Sequence, residues 1–210
     1  MKRRQSKNVG GKVRPTTSKV LESLAAILRP RLEGSAVLDL FAGTGRVGLR
    51  LLEDGADSVV FVEGHRKVGL ELRRQLREHP RREDLAVVIG PIPNVLEKVR
   101  GRFELAVCDP PYDWNQPESL FSAVGPLLVD QGLLVVEHHH KTIYPLQDGW
   151  EPHRVEKFGE SRLSFFVKVG NLSLSIHEPD HKAQDQKDAE GDPGGASVGG
   201  IEVDEVGGSG

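Results

Sequence analysis

The feature that most constrains the fold is a regular alternation of short apolar runs with stretches of helical periodicity. The apolar runs, which are typical of buried strands, are Ala36–Phe41, Ser58–Val62, Leu85–Ile89, Phe103–Cys108 and Leu133–Glu137. The helical stretches are a first helix from Thr16 or Thr17 to about Arg29, then Val47–Glu53, Lys67–Glu78, Asn94–Arg100 and Pro117–Leu128. Such alternation predicts right-handed crossovers and an α/β fold with a mostly parallel, doubly wound sheet.

The pattern changes after the fifth apolar run. Two strand-like runs, Trp150–Phe158 and Leu163–Val169, are joined by Gly159-Glu160-Ser161, a composition typical of a hairpin turn. The sheet is therefore expected to end in an antiparallel hairpin.

The charges divide the chain of 210 residues into three segments. Residues 1–15 are basic without any acid and are expected to form a flexible arm, residues 16–177 form the folded domain, and residues 178–210 form an acidic, Gly-rich tail that we expect to be disordered. A second basic run holds Arg73, Arg74, Arg77, Arg81 and Arg82. Both basic segments suit a polyanionic partner, although two solvated surface stretches would look the same.

Composition also excludes several classes of protein. No apolar run approaches the ~20 residues that cross a bilayer, and the basic start has no apolar stretch behind it, so we expect a cytoplasmic protein without membrane partners. The single cysteine, Cys108, forms neither an internal disulfide nor a zinc site by itself. The three histidines His138, His139 and His140 are expected in a surface loop rather than at a metal. We expect a monomer.

The first strand leads into a glycine-rich loop. Gly43, Gly45 and Gly48 match G-x-G-x-x-G between a strand and a helix, a pattern that often binds a dinucleotide pyrophosphate. Here Asp39 precedes the glycines, where its charge would repel phosphates and attract the cationic amino group of a methionine moiety. Glu63 ends the second strand, where an acid accepts hydrogen bonds from ribose hydroxyls. The alternative is a tight turn with two acids that cap neighbouring helices.

The tetrapeptide Asp109-Pro110-Pro111-Tyr112 follows the fourth strand, at the sheet edge where ligands bind in this architecture. An exocyclic amine on a base is a poor nucleophile because its lone pair is delocalised into the ring. The Asp109 carboxylate and the Pro110 carbonyl can accept its two N–H hydrogens, while the prolines hold these acceptors in place. Tyr112 offers a face on which the base can stack. The alternative is a Pro-Pro turn with an aspartate cap.

These residues together resemble the bacterial small-subunit ribosomal RNA guanine-N2 methyltransferases of the RsmD type, from Val13 to about Val169. The resemblance is carried by Val13-Arg14-Pro15-Thr16-Thr17, Leu38-Asp39-Leu40-Phe41-Ala42-Gly43-Thr44-Gly45, Val62-Glu63 and Asp109-Pro110-Pro111-Tyr112. It implies a Rossmann-like class I methyltransferase fold, S-adenosylmethionine as cofactor, and a guanine of ribosomal RNA or of the small subunit as target.

The resemblance also implies roles for individual residues. Asp109, Pro110, Pro111 and Tyr112 would be catalytic. The cofactor would contact Thr16, Asp39, Phe41, Gly43, Gly45, Glu63 and Gly90. Gly90 is included because the third strand ends in Ile89-Gly90-Pro91 without the acid that often lies beside the adenine.

Other functions remain open at this point. The chain departs from the family in lacking a basic β-hairpin before Arg14, so its mode of RNA docking can differ. An amine methyltransferase that acts on another RNA or DNA base, or on a protein glutamine, would carry the same two motifs. A non-catalytic RNA-binding module could also retain this fold.

Overall fold

The structure, a computed structural model, describes residues 18–111, 113–114, 116–145 and 147–170. All of them belong to one compact unit of the chain. The predicted arm (1–15), the predicted tail (178–210), Thr16 and Tyr112 lie outside the described residues, so the expectations for them remain predictions.

The strands form one mixed sheet. They are β1 (Ala36–Leu40), β2 (Ser58–Glu63), β3 (Leu85–Ile89), β4 (Phe103–Cys108), β5 (Leu128–His139), β6 (Trp150–Phe158) and β7 (Ser161–Lys168). Their order is β3-β2-β1-β4-β5-β7-β6. Neighbours from β3 to β5 are parallel, whereas β7 is antiparallel to both β5 and β6. The predicted mostly parallel sheet with a terminal antiparallel hairpin is confirmed.

Helices cover both faces of this sheet. The α-helices are α1 (Ser18–Leu28), α2 (Arg46–Glu53), α3 (Arg66–Leu76) and α4 (Pro117–Val124). Short 3-10 helices span Arg29–Arg31, Arg82–Asp84, Asn94–Lys98 and Gly125–Leu127. Two predictions were wrong in detail. The stretch predicted as a helix over Asn94–Arg100 forms a 3-10 helix over Asn94–Lys98. The helix α4 stops at Val124 because Gly125 and Pro126 follow and Pro126 has no N–H to continue the helix.

The apolar core divides into two layers, one on each side of the sheet. On one face Leu24 of α1, Leu51 of α2 and Leu72 of α3 pack with Phe61 of β2. On the other face the central residue is Phe121 of α4, which is fully buried. Parallel strands buried on both faces explain why β1, β2 and β4 read as continuous apolar runs.

The fifth strand is longer at both ends than predicted. The first residue of β5, Leu128, pairs with Phe103 of β4. The register between the two strands then shifts before Leu133, around Gln131, whose φ is 64°. At the other end His138 and His139 belong to the strand because β7 continues to pair with them. His138 is 9% exposed, so the prediction of a surface loop is wrong for these two histidines. Only His140 lies in the turn that follows.

The histidine run has a structural explanation. Nδ1 of His138 lies 2.9 Å from the backbone carbonyl of His139, and Nε2 lies 2.8 Å from the Ser164 hydroxyl. A carbonyl only accepts, so Nδ1 donates to it, whereas the Ser164 hydroxyl can donate or accept. Burial lowers the pKa of His138, which favours the neutral ring with Nε2 as the acceptor. Within the described part of the chain, no cluster of three or more side chains could hold a metal ion.

The sheet order places a crevice at the carboxyl ends of the central strands. Chain connections leave β1 towards β2 on one side and return to β4 on the other, which creates the switch point where ligands bind in doubly wound folds. Among the described helices, none combines the length and apolar character needed to span a bilayer.

Candidate active site

The loop between β1 and α2 requires glycine at two positions for steric reasons. A Cβ on Gly45, whose φ is 76°, would lie 2.7 Å from Cδ1 of Leu72. A Cβ on Gly48 would lie 2.5 Å from Cε1 of Phe61. The absence of side chains lets α2 start directly against the sheet, with the loop backbone turned towards the crevice. The strand–glycine–helix arrangement predicted from the motif is therefore present.

Glu63 joins this loop to the end of β2. Its Oε2 accepts a hydrogen bond from the N–H of Gly43 at 2.8 Å, and its Oε1 accepts one from the N–H of His65 at 2.6 Å. The residue is 9% exposed. Each carboxylate oxygen can accept a further hydrogen bond, so the pair of backbone donors orients Glu63 without exhausting its acceptors.

Asp39, the penultimate residue of β1, is more deeply buried than Glu63. Its Oδ2 accepts a 2.8 Å hydrogen bond from the N–H of Gly48 in α2, and the residue is 3% exposed. Burial is the main cause that raises the pKa of Asp39 to about 7; the hydrogen bond from Gly48 opposes this shift, and the charges of Asp109 and Glu63 add to it. A cation placed beside this carboxyl would favour its ionised form.

The segment after β4 forms a tight turn beside these acids. The N–H of Asp109 donates to the carbonyl of Leu40 at 3.4 Å, and the N–H of Trp114 donates to the carbonyl of Pro111 at 2.8 Å. Asp109 and Pro110 are half-buried and Pro111 is exposed. The carboxyl ends of β1, β2 and β4 thus bring Asp39, Glu63 and Asp109 to one edge of the sheet.

Two aromatic rings close the same edge. Phe41 follows β1 with a φ of 59° and meets Trp114 edge to face, with the ring centroids 5.4 Å apart. The indole Nε1 of Trp114 is buried and has no hydrogen-bond partner among the described residues. A buried donor without an acceptor costs free energy, so this N–H is available to a ligand acceptor.

Gly90 lies next to Glu63 on the outer side of the crevice. Its N–H donates to the backbone carbonyl of Glu63 at 3.0 Å, and a Cβ at this position would lie 2.7 Å from Cγ2 of Val95. The end of β3 therefore approaches the end of β2 closely, and it does so without an acidic side chain.

The sequence analysis did not assign a role to two residues that border this site. Glu137, at the end of β5, lines a cavity of about 20 Å³ together with Asp39 and Asp109. Tyr144 folds back from the β5–β6 connection onto His138, with the ring centroids 5.0 Å apart. Burial raises the pKa of the Tyr144 hydroxyl, and the nearby charges of Cys108 and Asp109 act in the same direction. The position of Glu137 as the last residue of the fifth predicted strand was the available signal, whereas no pattern in the sequence indicated Tyr144.

The chain is similar to known methyltransferases in sequence and in structure. The profile of the family described as "Conserved hypothetical protein 95" matches residues 1–167. The "Putative rRNA methyltransferase YlbH" of Bacillus subtilis is 28% identical over 167 residues, which cover 77% of this chain and 91% of the relative. The "Ribosomal RNA small subunit methyltransferase D" of Escherichia coli K12 is 27% identical over 151 residues, or 70% and 76% of the two chains.

A solved structure shows the same fold. The "Putative methyltransferase yhhF" from Escherichia coli superimposes with a TM-score of 0.66 at 26% identity, over 74% of this chain and 88% of that one. The antiparallel end of the sheet and the parallel centre are thus those of the methyltransferase fold.

Proposed function

Because the chain belongs to the family described as conserved hypothetical protein 95, the RsmD type, we propose that it methylates the exocyclic N2 amine of a guanine in small-subunit ribosomal RNA. S-adenosylmethionine is the methyl donor. The observation that carries the proposal is the convergence of Asp39, Glu63 and Asp109, the last followed by two prolines, at one edge of the sheet.

The residues of the crevice fit this cofactor. Glu63 is held by two backbone N–H groups and retains acceptor capacity for ribose hydroxyls. Asp39 is a buried carboxyl whose pKa of about 7 makes it responsive to a cationic amino group. Phe41 and Gly90 border the same crevice. The cofactor supplies a methyl group activated on a sulfonium sulfur, and these residues bind and orient it.

The turn after β4 fits the other reactant. Asp109 and the carbonyl of Pro110 accept the two N–H hydrogens of the guanine amine and direct its lone pair towards the crevice. The prolines restrict the backbone, so these acceptors need little reorganisation during transfer. As the nitrogen becomes positively charged, the hydrogen bond to the Asp109 carboxylate strengthens, and this difference between ground state and transition state is what accelerates the reaction.

Donor binding and transfer to nucleic acid test the proposal together. We expect calorimetry to detect binding of S-adenosylmethionine, and we expect labelled methyl groups to enter undermethylated small subunits or naked small-subunit rRNA but not DNA. RNA binding without donor binding would indicate a non-catalytic module instead. Label that enters only DNA or only protein would contradict the RNA assignment.

Replacement of Glu63 by Ala should weaken donor binding by about 1–3 kcal/mol, or roughly 5- to 150-fold, the scale for a lost polar contact. The change removes the proposed ribose acceptors and leaves the N–H groups of Gly43 and His65 without their partner. Calorimetry measures the affinity, and Glu53→Ala, an exposed acid at the end of α2, is the matched control. Donor affinity in Glu63→Ala equal to that of the control would remove the ribose assignment.

A further inference from the structure

Two cationic side chains lie side by side on the terminal hairpin. Arg162 of β7 pairs in register with Lys157 of β6 on one side and with His138 of β5 on the other. Directly paired residues of antiparallel strands project from the same face. Arg162 and Lys157 therefore share a face, and it is the face of Phe166 and α4, because Phe166 lies four residues after Arg162.

This row of residues lies level with the candidate catalytic turn. Val136 of β5 pairs with Cys108 of β4, so His138 lies at about the level of Pro110, two residues further along. Strands are ~4.8 Å apart, which places Arg162 about 10 Å from the line of β4 and Lys157 one strand beyond it. This distance of about 10 Å is about the size of a nucleotide. One RNA chain could therefore place its target base at the turn after β4 and its backbone at these cations.

The two cations are not committed to partners within the protein. Nε of Arg162 is buried and has no hydrogen-bond partner among the described residues. Within the described part of the chain, neither Arg162 nor Lys157 forms an ion pair. Burial lowers the pKa of the neighbouring His138, which favours its neutral form.

The basic run of α3 and the following turn behaves differently. Arg74 pairs with Glu71, Arg81 with Asp84 and Arg82 with Glu83. Arg73 donates to the backbone carbonyl of Val87 at 2.9 Å. Three of the five arginines of this run thus have an acidic partner at the protein surface, whereas Arg162 and Lys157 have none among the described residues.

We propose that Arg162 and Lys157 bind backbone phosphates of the RNA beside the target nucleotide. The inference rests on the proposed function, because it takes the turn at Asp109 as the place where the base is held. Rotation of the half-buried Arg162 side chain towards the RNA would give its Nε–H a phosphate acceptor, and guanidinium groups bind phosphate through two parallel hydrogen bonds. Lys157, exposed at the sheet edge, would contact the next phosphate as a point charge.

The test compares RNA affinity across a salt series for the full chain and its variants, with naked small-subunit rRNA as probe. We expect Arg162→Gln and Lys157→Gln each to weaken binding about 10-fold at low salt and to reduce the slope of log affinity against log salt by about 0.7–0.9, the value for one phosphate contact. The control is Arg154→Gln on the same strand as Lys157, because Arg154 pairs with Phe165 on the opposite face and contacts Glu156. Its affinity should stay within about twofold of wild type. S-adenosylmethionine affinity should not change in any variant.

Arg162→Gln can lower the melting temperature because Arg162 is half-buried. Lys157 is exposed, so Lys157→Gln should fold normally and still tests the inference. Wild-type affinity and salt slope in Lys157→Gln and in a folded Arg162 variant would overturn the inference while the proposed function stood. Loss of binding to assembled subunits alone, with naked-RNA affinity unchanged, would assign the surface to a ribosomal protein and also overturn it. Failure of the wild type to bind or methylate any RNA would refute the proposed function itself.

Discussion

Asp109→Asn should lower single-turnover methyl transfer by roughly 10²-fold or more while the protein still folds and binds the donor. The substitution keeps the size of the side chain and one acceptor oxygen but removes the negative charge that stabilises the developing positive charge on the guanine nitrogen. It also presents an N–H₂ donor to the N–H₂ group of the substrate. Donor affinity should change much less, because the proposed cofactor contacts come from the ends of β1 and β2.

The control for this variant is Asp113→Asn, an exposed aspartate in the same turn. It removes one negative charge at a similar place in the chain, so it reports any general electrostatic effect on RNA binding. We expect it to retain near-normal single-turnover rates. If Asp109→Asn transferred methyl groups as fast as Asp113→Asn, the catalytic role of this turn would be wrong.

Asp39→Asn should change the dependence of stability on pH by on the order of 4 kcal/mol. Burial is the chief cause that raises the folded-state pKa of Asp39 from 3.8 to about 7, and a pKa difference of one between folded and unfolded states corresponds to about 1.4 kcal/mol. The unfolded chain ionises Asp39 at lower pH than the folded protein. The stability that comes from the protonated carboxyl is therefore full below about pH 4 and is lost as pH rises to about 7.

Urea unfolding at several pH values between about 4 and 8 measures this effect, because these values span the two pKa values of Asp39. The free energy of unfolding of wild type minus that of Asp39→Asn should fall steadily up to about pH 7 and then level off. Asp57→Asn, an exposed position before β2, provides the control and should follow the wild type. Parallel pH profiles for wild type and Asp39→Asn would show that Asp39 is ionised normally in the folded protein. The same variant should lose donor affinity.

Much of the architecture could be predicted because buried parallel strands leave an unambiguous apolar signature. The limits of β3, β4 and β6 agree with the sequence pattern to the residue, since charged or turn-forming residues flank each run. The start of β5 could not be predicted, because Leu128 joins the sheet through its pairing with Phe103. The burial of His138 likewise depends on β7 folding back beside β5, which the local pattern does not encode.

The candidate site was predictable in its residue types but not in its internal contacts. Acids at the carboxyl ends of parallel strands lie at one edge of the sheet, so the edge shared by Asp39 and Asp109 followed from the pattern. Their proximity depends on the strand order, in which β1 lies between β2 and β4, and the pattern does not fix that order. Glu63 accepts hydrogen bonds from the N–H groups of Gly43 and His65. These contacts depend on the backbone conformation around them, which the sequence pattern does not specify. The N–H groups of Trp114 and Arg162 that are buried without a partner among the described residues are also invisible in a sequence.

The most direct test of the central claim identifies the nucleoside that is methylated. Undermethylated small subunits and naked small-subunit rRNA are incubated with the full chain and S-adenosylmethionine carrying a labelled methyl group, and the RNA is then digested to nucleosides and analysed by mass spectrometry. We predict that the label appears in N2-methylguanosine and that Asp109→Asn abolishes most of it. Label in any other nucleoside, or none in RNA under conditions where the donor binds, would contradict the assignment of guanine N2 as the acceptor.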